Sequence, residues 1–264
     1  MRSLETLLFE VREHVGYITL NRPEAANAMN LELARELEEV ALECEESEQV
    51  RAVLLTGAGK MFCGGGDVKA FAAQEPAHLP AYLKRVTMYL HQAIHRFARM
   101  CAPLVIAVNG SAGGGGMSLA CAGDLVLAGE SAKFTMAYTR IGLTPDGSST
   151  YYLPRIVGLR RTMELALTNR TLSAREAEAL GLVTRVVPDD QLIAQAEAIS
   201  KELAQGPTQA YGGVKRLLYS SLNTPLQEQM EFESEWIAEM ARTRDAQEGM
   251  AAFAGKRAPK FKGQ

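Results

Sequence analysis

Two glycine runs are the residues with the clearest capacity for main-chain chemistry: Gly64–Gly65–Gly66 in FCGGGDVKAF and Gly113–Gly114–Gly115–Gly116 in GSAGGGGMSLACAG. Each follows an apolar run and precedes a stretch with helical spacing. Glycine lets a backbone approach a ligand closely and adopt conformations closed to other residues. A helix start adds free N–H groups and the positive end of the helix dipole. Together these are the parts of an anion or oxyanion site. The same residues also serve tight packing, and one loop alone would not separate the two readings; two loops of the same build favour a site. Neither is a nucleotide motif, because no Gly-Lys-Ser/Thr ending and no downstream acid of a dinucleotide fold accompanies them.

The side chains that could join such a site are few. Asp146 lies in LTPDGSS, a sequence that reads first as a turn or a helix cap. His91 and His95 in YLHQAIH are one helical turn apart, a spacing that suits a metal pair, but no third ligand accompanies them and no metal is expected. Cys44, Cys63, Cys101 and Cys121 form no CxxC pair and no metal spacing; they are expected to be buried, reduced thiols.

These residues must be positioned by an alternation of strand and helix. LLFEVRE and VGYITLN read as two strands with a turn at His14–Gly16. Asn30 is a plausible N-cap for the amphipathic LELARELEEVALECEES. RAVLLTG, PLVIAVNG, DLVLAGE, AKFTMA and LVTRVVP read as strands. Residues 79–100 read as a helix carrying both histidines, and STYYLPRIVG, RRTMELALTN and SAREAEALG as short ones. Strand–helix alternation through the first part of the chain argues α/β. Everything after Pro188 is helical in pattern, so the chain divides into a core, 1–190, and a helical region, 191–264. The terminal KRAPKFKGQ is basic and turn-rich and reads as a frayed tail.

Composition bounds the partners. The chain has 264 residues, 47% hydrophobic and 22% charged, enough for a real core without disulfides. Its net charge of −3 is spread along the chain, whereas a nucleic-acid partner would call for a basic face. No apolar stretch is long enough to span a bilayer and the first residues do not read as a signal peptide, so no membrane partner and a cytoplasmic location are expected. Leu217, Leu218, Leu222, Leu226, Met230, Phe232, Trp236, Ile237 and Met240 are too many apolar residues for a thin appendage to bury, which predicts subunit packing.

NRPEAANAMN, RAVLLTG, FCGGGDVKAF and PLVIAVNGSAGGGGMSLACAGDLVLAGESAKF, followed by IGLTPDGSSTYYLPRIVG, LTNRTLSAREAEALGLVTRVVP and EGMAAFAGKRAPKF, resemble the enoyl-CoA hydratase/isomerase (crotonase) superfamily in order and spacing. The resemblance covers nearly the whole chain. It implies a spiral of ββα units with a helical C-terminal oligomerisation region, assembled as a trimer or hexamer. It implies an acyl-CoA thioester as substrate, with coenzyme A entering as part of that substrate and no separate cofactor. It places the thioester oxygen between the N–H groups of Gly66 and Gly115. It places the adenosine end between the loop of residues 22–28, with Ala26, and the loop of Gly64, Asp67, Val68 and Lys69. Gly114 adjoins the substrate, and Lys256 approaches the coenzyme, in some members from a neighbouring subunit.

The same resemblance narrows the chemistry. The hydratase branch uses two glutamates; here Ser118 and Tyr138 stand in their places, so water addition by two carboxylates is not expected. Asp146 matches the catalytic aspartate of ring-epoxide isomerases acting on phenylacetyl-CoA and of dienoyl-CoA isomerases. It also matches the nucleophilic aspartate of 4-chlorobenzoyl-CoA dehalogenase, which carries a histidine in a segment similar to that of His91 and a tryptophan where this chain has Tyr138. The expectation is therefore an isomerase using Asp146, with Tyr138 and His91 in support. The alternatives are dehalogenase-like hydrolysis, or acyl-CoA binding with little catalysis.

Overall fold

The runs VGYITL, AVLLTG, LVIAV and LVLAG are short and rich in β-branched residues, which suits strands covered on both faces. In the computed structural model, which describes residues 2–264, they form the middle of a seven-stranded sheet. Its strands are β1 (Arg2–Ser3), β2 (Leu7–Arg12), β3 (Val15–Leu20), β4 (Ala52–Gly57), β6 (Leu104–Val108), β8 (Leu125–Gly129) and β11 (Arg185–Val187), in that spatial order. The β1–β2 and β2–β3 pairs are antiparallel and the rest parallel. The expected turn at His14–Gly16 lies earlier: Glu13 and His14 take φ of 49° and 64°, and Gly16 sits inside β3.

A second, four-stranded sheet holds β5 (Met61–Cys63), β7 (Ser111–Gly113), β9 (Lys133–Thr135) and β10 (Leu172–Ser173), in the order β10-β9-β7-β5. After α1, three successive turns of the chain each contribute one strand to the large sheet, one to the small sheet, and then helix. Thus β4 and β5 lead to α2 (Val68–Ala72) and α3 (Leu79–Arg99); β6 and β7 lead to α4 (Gly115–Cys121); β8 and β9 lead to α5 (Ser149–Val157), α6 (Leu159–Thr168) and α7 (Ala174–Ala179). This is the ββα spiral that the sequence implies. The strand β7 goes unread in the sequence because SAG has no side chains to show a period.

One face of the large sheet is covered by α1 (Leu31–Glu46) and α3, with Leu33, Leu37, Val40, Leu90, Ile94 and Phe97 in the principal core. Asn30 caps α1 as read: its side chain accepts from Leu33 N–H at 2.9 Å. The other face is closed by α8 (Leu192–Ala204), whose Leu192, Ala196 and Ala204 pack on Val15, Ala52, Leu54 and Val105. The segment 191–264 is therefore not one appendage, because its first helix completes the sheet's second core.

Beyond α8 come α9 (Thr208–Ser221), α10 (Leu226–Met240) and α11 (Arg244–Ala254). Lys215 of α9 ties this region to the core: its ammonium lies 2.7 Å from Asp124 and donates to Phe97 O at 2.7 Å. Leu218, Leu226 and Ile237 stay 64%, 77% and 72% exposed, which leaves an apolar surface on these helices. The tail does not fray. Buried Asp245 accepts from Lys262 and Gly263 N–H, each at 2.7 Å, and Lys260 N–H donates to Glu248. Among the described residues no helix is long and apolar enough to cross a membrane.

Replacing Lys215 leaves Asp124 without its cation in a largely buried setting, where burial already pushes the carboxyl up and Lys215 opposes that rise. Lys215→Met should therefore lose about 3 kcal/mol of unfolding free energy, measured by urea denaturation against the parent chain.

Candidate active site

The small sheet aims three successive connections at one place. The C-terminal ends of β5, β7 and β9 release Gly64–Gly66, Gly114–Gly115 and the Ala137–Asp146 segment, and these line one cavity of about 360 Å³. The two glycine loops touch main chain to main chain. A side chain at Gly65 would meet Gly113 O at 2.8 Å, and one at Gly116 would meet Cys63 O at 2.2 Å. Gly65 at φ 102° and Gly114 at φ 46° also hold conformations that favour glycine.

Gly66 and Gly115, the two residues expected to supply N–H donors, both line this cavity. Met29 N–H donates to Gly65 O at 2.6 Å and Asp67 N–H donates to Met29 O at 2.9 Å. Gly66 lies between those two residues in the Met29–Gly66 bridge, so by strand alternation its own N–H points away from Met29. Gly115 opens α4 and has no preceding turn to accept its N–H. Among the described residues neither N–H meets a hydrogen-bond acceptor. Cys63, at the base of the first loop, is fully buried, and burial pushes its thiol up to about 11. It packs and does not attack.

Asp146 closes the cavity opposite Gly115; a Cβ built on Gly115 would lie 3.9 Å from both Asp146 Oδ1 and Tyr138 Oη. Tyr138 Oη donates to Asp146 Oδ1 at 2.5 Å and lies 2.7 Å from Ser118 Oγ. The phenol has one proton and gives it to the carboxylate, so Ser118 supplies the proton of the second bond. Burial and then the charge of Asp146 push the Tyr138 phenol up, which keeps it a donor. Asp146 Oδ2 has no partner among the described residues. The aspartate that reads in sequence as a turn residue is both: it sits in the turn, and its Ser149 N–H and Oγ contacts go to the backbone carbonyl, leaving the carboxylate for the cavity.

The other expected site residues divide. Gly64, Val68 and Gly114 line the cavity. Ala26 stands beside it in the left-handed region and accepts from Gly64 N–H at 2.8 Å, pinning the two loops together. Asp67 does not line the cavity. It caps α2 through Ala70 N–H and pairs with Arg22 at 2.9 Å; these bonds outweigh burial and hold the carboxyl below its usual range. Lys69 is exposed on α2, and Lys256 is exposed beyond α11, outside the cavity of its own chain. His91 is exposed and lines a different cavity, on the far side of the Asp146 turn, where its Nε2 accepts from Gly147 N–H.

Three features escape the sequence. Asn27 is fully buried with φ 52°; its side chain accepts from Arg22 N–H and donates to Ala58 O and Met61 O, so it knots the loop of residues 22–28 to β5. An asparagine in a polar loop gives no hint of this. Arg140 brings a cation to the cavity rim, held by Asn169 O at 2.9 Å. The apolar walls are Met29, Phe71, Leu83, Val86, Leu90 and Leu143. Within one chain the described C-terminal helices line no part of the cavity.

Comparisons with known proteins identify the family. The family model described as Enoyl-CoA hydratase/isomerase matches residues 10–264. A 1,2-epoxyphenylacetyl-CoA isomerase of Escherichia coli (strain K12) is 37% identical over 99% of this chain and 100% of its own length. A 4-chlorobenzoyl coenzyme A dehalogenase-2 of Arthrobacter sp is 36% identical over 85% of this chain and 81% of its own. The crystal structure of an enoyl-CoA hydratase from Bacillus anthracis superposes with a TM-score of 0.91 at 31% identity, covering 98% of this chain and 100% of that one.

The contact between the loops gives a direct test. Gly116→Ala places a methyl against Cys63 O and must part the loops. It should destabilise the chain by ~1–3 kcal/mol and lower turnover more than stability alone explains, read by thermal denaturation beside a steady-state assay.

Proposed function

This chain belongs to the enoyl-CoA hydratase/isomerase family, and from that premise we propose that it isomerises an unsaturated or ring-derived acyl-CoA with Asp146 as its single acid–base group. The observation that carries the reading is Asp146 itself. Among the described residues it is the one carboxylate lining the glycine-walled cavity, and the family resemblance puts Ser118 and Tyr138, which lie 2.7 Å apart, where a hydratase holds its glutamates.

The acyl group enters the apolar cavity with its thioester oxygen at the N–H groups of Gly66 and Gly115. Asp146 Oδ2 takes a proton from the carbon next to the carbonyl. The electron pair of that C–H bond moves into the enolate, and its charge collects on the oxygen that the two donors face. Asp146 then returns the proton two carbons along, from the same side, and the double bond is displaced. One carboxylate suffices because it acts first as base and then as acid. Tyr138 holds Oδ1, fixing which oxygen reacts, and Ser118 holds Tyr138.

Dehalogenase-like hydrolysis is the second reading, favoured by the His91–Asp146 neighbourhood. It would use the same carboxylate as a nucleophile and need an imidazole free to activate water. His91 Nε2 instead accepts a backbone N–H, which favours proton shuttling. For assembly, the exposed apolar residues of α9 and α10 support a trimer or hexamer; sedimentation should show an oligomer, and a stable monomer at micromolar concentration would overturn that.

For the reaction, trans-3-hexenoyl-CoA and 1,2-epoxyphenylacetyl-CoA are the first substrates to assay, with chloride release from 4-chlorobenzoyl-CoA as the counter-test. Asp146→Asn should cost at least about a thousandfold in kcat, and Gly115→Pro, which removes one donor, at least about a hundredfold. A single turnover in oxygen-18 water should leave no label in Asp146 or product; label in either selects the ester route. Asp146→Asn turning over at the parental rate would refute both routes.

A further inference from the structure

Asp146 is a wall shared by two cavities. The second, about 690 Å³, lies behind its turn, and His91 lines it. The ring of His91 is committed to the main chain: Gly147 N–H donates to Nε2 at 3.1 Å. The donor is a backbone amide, so its direction is fixed. A ring nitrogen that accepts carries no proton, and the hydrogen of the neutral imidazole is then on Nδ1.

The turn needs holding. Gly147 and Ser148 both take left-handed φ, 57° and 64°, and for serine that conformation is strained. Gly147 also packs tightly, since a Cβ there would meet the Ser118 Cβ at 2.8 Å. Ser149 fixes the Asp146 carbonyl and Tyr138 fixes the carboxylate. The peptide unit between Asp146 and Gly147 is thus held at its carbonyl by Ser149 and at its N–H by His91.

We infer that His91 is a positioning residue, which holds the Asp146 turn by accepting the Gly147 N–H and releases it when the ring gains a second proton. Protonation would set an N–H at Nε2 against the N–H of Gly147, donor against donor. The consequence for turnover rests on the reading of Asp146 as the reacting carboxylate. Around the ring, α3 presents His95 and Arg99, α9 presents Arg216 and Tyr219, and α5 presents Tyr151 and Tyr152. Burial keeps Tyr152 and Tyr219 protonated. Arg99, Arg216 and Asp146 are the other charged groups lining the cavity. His95 is the other imidazole in the cavity, and it makes no bond to the turn.

The test is the pH dependence of kcat for trans-3-hexenoyl-CoA in three variants. Histidine titrates between ~pH 5 and 8, so the parent should lose activity on the acid side within that window. His91→Gln puts an amide oxygen where Nε2 was and cannot titrate. It should keep the alkaline plateau within about threefold and move the acid limb to lower pH. His91→Leu should lose about ten- to a hundredfold in kcat at every pH, with KM little changed. His95→Gln should keep both plateau and limb. If His91→Gln is as slow as His91→Leu, the imidazole moves protons itself and the inference fails. If His91→Leu matches the parent, the bond holds nothing and it fails again. Crystals at about pH 8 and about pH 5 read the clamp without activity: the Gly147–His91 bond should be made in the first and open in the second, and a bond intact in both overturns the release. Should the bond open while Asp146→Asn still isomerises, the clamp stands and the role of Asp146 falls.

Discussion

The two glycine loops meet with no side chain between them, and the cavity exists because of that approach. Gly65 lies against the Gly113 carbonyl and Gly116 against the Cys63 carbonyl, at distances that a Cβ would violate. The parallel pairing of β5 with β7 brings the loops to the same end of the small sheet, and the absence of side chains lets them close. A donor that is part of the backbone needs no rotamer and loses no side-chain entropy on binding charge. The cost is carried elsewhere, by elements that hold the loops still. Asn27 knots one loop to β5, Arg22 ties it to Asp67, and Asp67 caps the helix that follows Gly66. Asp67, expected to touch a ligand, thus holds the first glycine loop instead.

The carboxylate opposite is held by the same principle. Tyr138 takes one oxygen of Asp146, Ser149 takes its carbonyl, and His91 takes the next amide. Preorganisation of this kind leaves one oxygen unengaged and fixes its direction, so that little motion separates a resting carboxylate from a reacting one. Burial of the Tyr138 phenol contributes by keeping its proton in place, because a phenolate beside Asp146 would repel it.

Much of the frame was legible from pattern. The β-branched runs gave the large sheet, helical spacing gave α1 and α3, and Asn30 capped where its chemistry suggested. The glycine runs marked two loops that line the cavity, because glycine is costly unless its backbone freedom is used. What pattern could not give was anything depending on contacts distant in sequence. LTPDGSS is a turn by composition, and only the approach of Tyr138, Ser118 and His91 from three other elements turns its aspartate toward a cavity. Asp67 has the residue type of a binding group and the position of a helix cap, and the cap explains its bonds. SAG shows no period, so β7 was invisible although the second glycine loop hangs from it. The basic tail read as loose until Asp245 and Glu248, remote from any tail motif, were seen to accept its amides.

The number of carboxylates at the cavity bears on the reaction more than the fold does. The family's shared framework positions a thioester oxygen and says little about where protons go. Water addition needs one group to activate water while another delivers a proton. Where this chain could have carried those acids it carries a serine and a tyrosine, joined to each other and to Asp146. The replacements do more than remove acid–base groups, because they build the support of the carboxylate that remains. Restoring a glutamate at position 118 would insert a second charge where Tyr138 now receives a hydrogen bond, and two carboxylates at such range resist simultaneous ionisation. Ser118, Tyr138 and Asp146 are therefore joined as one hydrogen-bonded unit, which supports the proposed transfer of a proton along a substrate by a single fixed oxygen.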